Sequence, residues 1–318
     1  MHKITFIGIA SLLQVCFIII LKIPSPLSLM VMYWEFGDYH IIVASFFSFI
    51  LIVYIASSLV GEFLALVFTR AKGLVKNQRD AMIDGLEGIR PAQDIVKRNG
   101  VKLSRPKSLK MNAYVYGGFH SRIAINPAMA IGLVKGDDDA KSIFSHELAH
   151  VYMFDRLHFS LIFVLGLSLA VFPLLLSIGE ASLSEMPLYL IFNVVLFIWL
   201  IRSREYIADT IGAYIMGDKH RYIAFLDSVG KGGGIFHPPT IDRSINLRKD
   251  NPLIKPSIPY AMFFVLSLFN AIQFRSSDAF DLDKSNGMIV IVILGFIVQG
   301  IIVSLGGSLF EDRSGKVE

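Results

Sequence analysis

Cysteine is almost missing from this sequence: Cys16 stands alone in 318 residues, so no intramolecular disulfide can form. It lies inside an apolar run and reads as an inert apolar residue. Charge is scarce too, at 18% of residues against about 25% in an ordinary soluble domain. Aromatic residues are absent from residues 70–110, a stretch with eleven Lys and Arg and four Asp and Glu. With no ring to stack on a base, that stretch excludes nucleic acid as a partner and suits a flank facing anionic lipid. Gly232-Gly-Gly234 lacks a following Gly-Lys-Ser/Thr, so it reads as a flexible loop and not a phosphate cradle. Ile4–Leu21 lacks a small-x-small cleavage site after it and continues into Lys22-Ile-Pro-Ser-Pro, which favours an uncleaved anchor over a signal peptide.

Apolar residues are abundant, at 54% of the chain and a mean hydropathy of +0.59. They gather in six runs: Ile4–Leu21, Ile41–Phe68, Phe159–Ile178, Pro187–Ile201, Ile258–Phe274 and Met288–Leu305. A bilayer core needs roughly 17–25 apolar residues as helix. The expected fold class is therefore an α-helical membrane protein of about six spans. It would carry a small cytoplasmic α+β unit. The expected division is two N-terminal spans in 1–69, a catalytic unit in 70–257 interrupted by a two-span hairpin at 159–201, and two further spans in 258–318.

On that layout, 27 of the 30 Lys and Arg residues fall on one side, leaving Lys22, Arg275 and Lys284 on the other. The positive-inside rule then puts both termini and the catalytic unit in the cytoplasm. Trp34 and Trp199 suit interfacial anchors. The expected partner is a lipid bilayer, that of a bacterial inner membrane or, as the alternative, the endoplasmic reticulum.

Ser145-His146-Glu147-Leu148-Ala149-His150 contains the pattern H-E-x-x-H. On a helix, residues four apart share a face, so His146 and His150 can meet one metal while Glu147 reaches a water beside it. Asp137, Asp138 and Asp139 offer a cap and favourable charge at the start of such a helix. A catalytic zinc has three protein ligands and one open position. Glu205 is the best candidate for the third. Asp209, one turn further on, is placed to accept the second N–H of a ligand histidine and fix its ring.

Four pieces in order resemble the HtpX-like and CAAX-prenyl-endopeptidase families of membrane zinc peptidases. They are Asn112-Ala-Tyr-Val-Tyr-Gly117, His146 through Asp155, Glu205-Tyr-Ile-Ala-Asp209, and His237-Pro-Pro-Thr-Ile-Asp-Arg243. The resemblance spans about residues 105–248. It implies a zincin-like (gluzincin) unit, one Zn2+ per chain on His146, His150 and Glu205, Asp209 as the supporting carboxylate, and Glu147 as catalytic base. The activity implied is hydrolysis of peptide bonds, with polypeptide substrates that are membrane-associated or misfolded.

The family's strand at Asn112, Ala113 and Tyr114 pairs with substrate; plain core sheet is the other reading. Short strands are expected at Ser108–Met111 and Ser121–Ile125. His237 and Arg243 either donate to the oxyanion or substrate, or make a structural salt bridge. Rival functions are a catalytically silent membrane scaffold or metal sensor, and a membrane receptor-protease acting in signalling. A transporter fits poorly, because five of the six runs hold no acidic or basic residue and the sixth holds only Glu62.

Overall fold

The computed structural model describes residues 71–104, 110–116, 121–155, 186–230 and 232–262, with scattered positions in 4–10, at 63 and in 293–304. Arg122–Ile125 (β4) is a run of Ile-Ala-Ile behind one arginine, and Ile123, Ala124 and Ile125 are fully buried. Such a strand belongs inside a sheet, with other elements on both faces. Three more strands are Lys72–Gly73 (β1), Val101–Leu103 (β2) and Ala113–Tyr116 (β3), giving the order β1-β2-β4-β3. β2 runs parallel to β4, with Val101 opposite Ile123. β1 and β3 are antiparallel to their neighbours, so the sheet is mixed and β3 forms one edge.

Between β1 and β2 lie Lys76–Gly85 (α1) and Arg90–Lys97 (α2). After β4 come Pro127–Val134 (α3), Asp138–Tyr152 (α4), Met186–Met216 (α5), Lys219–Ser228 (α6) and Thr240–Leu247 (α7). The start of α4 follows from its sequence. The Asp137 side chain accepts from Asp139 N at 2.8 Å and Ala140 N at 3.4 Å, and Asp138 and Asp139 place negative charge in the first turn. Phe144 and Leu148 on its inner face are fully buried, in one cluster with Ile123 and Ile125 of the sheet and Ile207 and Ile211 of α5. The helix is thus held between the sheet and α5.

Gly212 permits that approach: a Cβ there would stand 3.2 Å from both N and Cα of His146.

The expected six-span helical bundle is overturned. Among the described residues no helix is long and apolar enough to cross a membrane, and what they form is an α+β unit around a mixed sheet. They lend no support to a bilayer as partner. The runs Ile41–Phe68 and Phe159–Ile178 lie outside the described residues, position 63 apart; Ile4–Leu21, Ile258–Phe274 and Met288–Leu305 lie largely outside them. Pro187–Ile201 is instead the first half of α5, which continues unbroken through Arg202–Met216. Arg204, Glu205, Asp209 and Thr210 in that second half are buried within the unit, beside Ile207, Ala208 and Ile211. Within the run itself Val194, Val195 and Trp199 are exposed and Leu200, at its end, is buried, so the burial belongs to the turns that follow. A run of fifteen residues also falls short of roughly 17–25.

Of the strand expected at Ser108–Met111, residues 105–109 lie outside the described ones and Lys110 and Met111 are not in a strand; the strand expected near Asn112 is Ala113–Tyr116. The Asn126 side chain donates to Lys110 O at 2.7 Å and accepts from Asn112 N at 3.2 Å. Lys110 O and Asn112 N are thus bound by a side chain, while Asn112 O accepts from the backbone N of Asn126 at 3.1 Å.

Candidate metal centre

His146 and His150 lie one turn apart on α4, their rings nearly perpendicular with centroids 4.7 Å apart. Their Nε2 atoms are 3.1 Å from each other. Glu205, on α5, brings Oε2 to 3.4 Å from His146 Nε2 and Oε1 to 3.7 Å from His150 Nε2. The three residues each offer one ligand atom, and those atoms lie within 4.8 Å of one another. Donors about 2.0–2.1 Å from a tetrahedral zinc would be about 3.3 Å apart, so the spacing fits.

The chemistry of the donors fits too. The Nδ1 atoms of both rings are engaged by carboxylates: Asp209 Oδ1 lies 3.0 Å from His146 Nδ1, and Asp155 Oδ2 makes a short contact with His150 Nδ1. With Nδ1 donating, each neutral ring turns an Nε2 lone pair inward. Two lone pairs facing a buried carboxylate call for a cation. Glu205 Oε2 is also buried, with His237 Nδ1 at 3.1 Å and His146 Nε2 at 3.4 Å beside it.

In the metal-free protein a proton answers part of that demand. Burial pushes the His146 imidazole down, but the carboxylates of Asp209 and Glu205 outweigh it and raise the group to about 10. Burial would raise Glu205 and Asp209. Hydrogen bonds from His146 and His237 instead hold Glu205 well below the carboxylate range, and the Arg243 charge brings Asp209 down. Burial raises Glu147, offset in part by the His150 and His146 charges.

The family model for peptidase family M48 matches residues 89–250, just over half of the chain. The chain belongs to peptidase family M48. No curated protein and no solved structure matches it. An M48 peptidase is a metallopeptidase, and the matched stretch holds the whole His146, His150 and Glu205 cluster.

Other expected site residues of this M48 peptidase fall into place around the cluster. Arg243, on α7, donates from Nε to Asp209 Oδ2 at 2.7 Å and from one Nη to Oδ1 at 2.5 Å, and its other Nη is 4.0 Å from Glu205 Oε2. It thus stands behind Asp209 as well as beside Glu205. His237 sits at the rim, its side chain 65% exposed, with the Glu205 carboxylate raising its affinity for a proton.

Asn112 precedes the edge strand, and its backbone O accepts from Asn126 N at 3.1 Å. Antiparallel ladders alternate, so Ala113 and Val115 turn their N–H and C=O away from β4, while Tyr114 faces it. On that outer side the Val115 N–H donates to the Glu147 carboxylate.

Three contributors were not singled out in the sequence. Tyr222 on α6 donates to Asp209 Oδ1 at 3.1 Å. Asp155 holds His150, and Arg204 holds Asp155. For Asp155 the signal was present, five residues after His150 within the motif. Nothing local marks Tyr222 or Arg204.

Proposed function

We propose that the chain is a zinc-dependent endopeptidase whose metal is held by His146, His150 and Glu205 and whose general base is Glu147. The carrying observation is the convergence of two Nε2 lone pairs and one carboxylate, with both Nδ1 atoms committed to Asp209 and Asp155. When bound, zinc polarises the scissile carbonyl and lowers the pKa of a water toward about 7.

The chain's own groups do the rest. Glu147, one residue beyond His146, takes a proton from the attacking water and returns it to the leaving amine. Its burial favours the protonated form between those two transfers, and the Val115 N–H keeps the carboxylate facing the strand edge. The outward N–H and C=O of Ala113 support an extended peptide lying along β3, a form of strand addition. His237 at the rim and the second Nη of Arg243 can donate to the oxyanion.

The basic flank at residues 70–110 supports a site facing the cytoplasm at the bacterial inner membrane, with membrane-associated or misfolded polypeptides as substrates. The deciding experiment compares Glu147→Gln with His150→Ala on purified protein. Glu147→Gln should keep stoichiometric zinc while peptide cleavage drops about 10²–10⁴-fold, and His150→Ala should lose both. Full activity in Glu147→Gln would end the proposed role.

A further inference from the structure

Arg204 and Asp155 form a buried ion pair across 49 residues of sequence, 0% and 2% exposed respectively. Asp155 sits just past α4 and Arg204 on α5. Arg204 Nε donates to Asp155 Oδ1 at 2.8 Å; one Nη donates to the same oxygen and to Met153 O at 3.4 Å. The other oxygen, Oδ2, faces His150 Nδ1. Buried Tyr260 lies against the same guanidinium. Stability alone is a weak reason for such a pair, because apolar replacements of similar volume are often neutral or stabilising.

The backbone places Asp155 for this contact. Phe154, with φ 55°, is the residue just past the C-cap Met153, where a left-handed residue ends many helices. That turn brings Asp155 back onto His150 and Arg204.

We propose that Arg204 is a positioning residue for the metal centre. By holding one oxygen of Asp155 it aims the other at His150 Nδ1, which fixes the tautomer that presents Nε2 to the metal. This inference rests on His150 being a ligand, as proposed above. Arg204 precedes Glu205, so α5 delivers the third ligand and the fixation of the second together.

The test is zinc affinity by chelator competition, together with the visible spectrum of the cobalt-substituted protein. Arg204→Met alone leaves Asp155 buried and uncompensated, which destabilises the fold, so the paired variant Arg204→Met/Asp155→Leu removes both charges. The paired variant should unfold at or above the wild-type denaturant midpoint, yet bind zinc about 10–100-fold more weakly with shifted cobalt bands. Wild-type affinity and an unchanged cobalt spectrum in that folded variant would overturn the proposal. A wild-type chain that takes up no zinc, or a His150→Ala variant that binds as tightly as wild type, would overturn the metal reading and this inference with it.

Discussion

Gly212 and His146 touch through their backbones: a Cβ added at Gly212 would meet His146 N and Cα at 3.2 Å and the Tyr222 hydroxyl at 3.0 Å. Gly212→Ala gains about 0.8–1 kcal/mol in helix propensity. It also forces α5 away from α4 at the first ligand, and overpacking costs typically about 1–3 kcal/mol. The net expectation is a loss of about 1 kcal/mol in denaturant unfolding, with weaker metal binding. A variant as stable as wild type with unchanged metal affinity would show that the two helices have room to spare.

Glu205→Ala removes the only carboxylate among the three donors and should abolish most metal binding. Asp209→Asn keeps an acceptor for the neighbouring donors but loses the charge, and should weaken binding about 10–100-fold. Asp209→Ala goes further, leaving Arg243 nearly buried without its partner at a cost of about 3–5 kcal/mol. Metal content and unfolding midpoints of the three proteins separate these effects. Stoichiometric zinc in Glu205→Ala would place the third ligand elsewhere.

Metal uptake should depend on pH because His146 must give up its proton. The group is raised from 6.5 to about 10 in the metal-free fold. Below about pH 10 the proton competes, so apparent affinity should climb by up to about tenfold per pH unit, with about one proton released per metal. The same shift stabilises the metal-free fold fully below about pH 6.5, and that contribution is lost as pH rises through about 10. Calorimetric titration in buffers of different ionisation enthalpy measures the release. A flat affinity profile from pH 6 to 9 would contradict the raised His146.

Ser244 is fully buried on α7 and donates to Asp227 Oδ1 of α6 at 2.5 Å. That bond links the two helices that carry Tyr222 and Arg243 to Asp209. Ser244→Ala should cost only about 0.5–1.5 kcal/mol, because Asp227 is partly exposed and keeps Arg248 as a partner. Metal affinity should fall less than in Asp209→Asn; a larger fall would assign Ser244 to the site itself.

What could be read in the sequence was local. The Asp137 cap, the inward Phe144 and Leu148, and the His146–His150 spacing all lie within one helix, where periodicity dictates geometry. Glu205 and Asp209 were legible because they too share one helical turn. Arg204 was not: beside an apolar run it looks like an ordinary charged flank, and only packing reveals Asp155 opposite it. The same blindness made Pro187–Ile201 look like a span, since the burial of the following turns is set by contacts far away in sequence. The edge strand was legible near Asn112 from its motif, but not that the Asn126 side chain binds the backbone just ahead of it.

One helix, α5, carries Arg204, Glu205 and Asp209 within six residues, and each faces a different partner on α4 or just beyond it. A slip of α5 by one residue amounts to about 1.5 Å along its axis and about 100° around it. Such a slip would part Arg204 from Asp155, Glu205 from both imidazoles and Asp209 from His146 in one movement. The placement of the third ligand and of a carboxylate behind each histidine is thus tied to the register of α5 against α4, and the metal reads the seating of one helix.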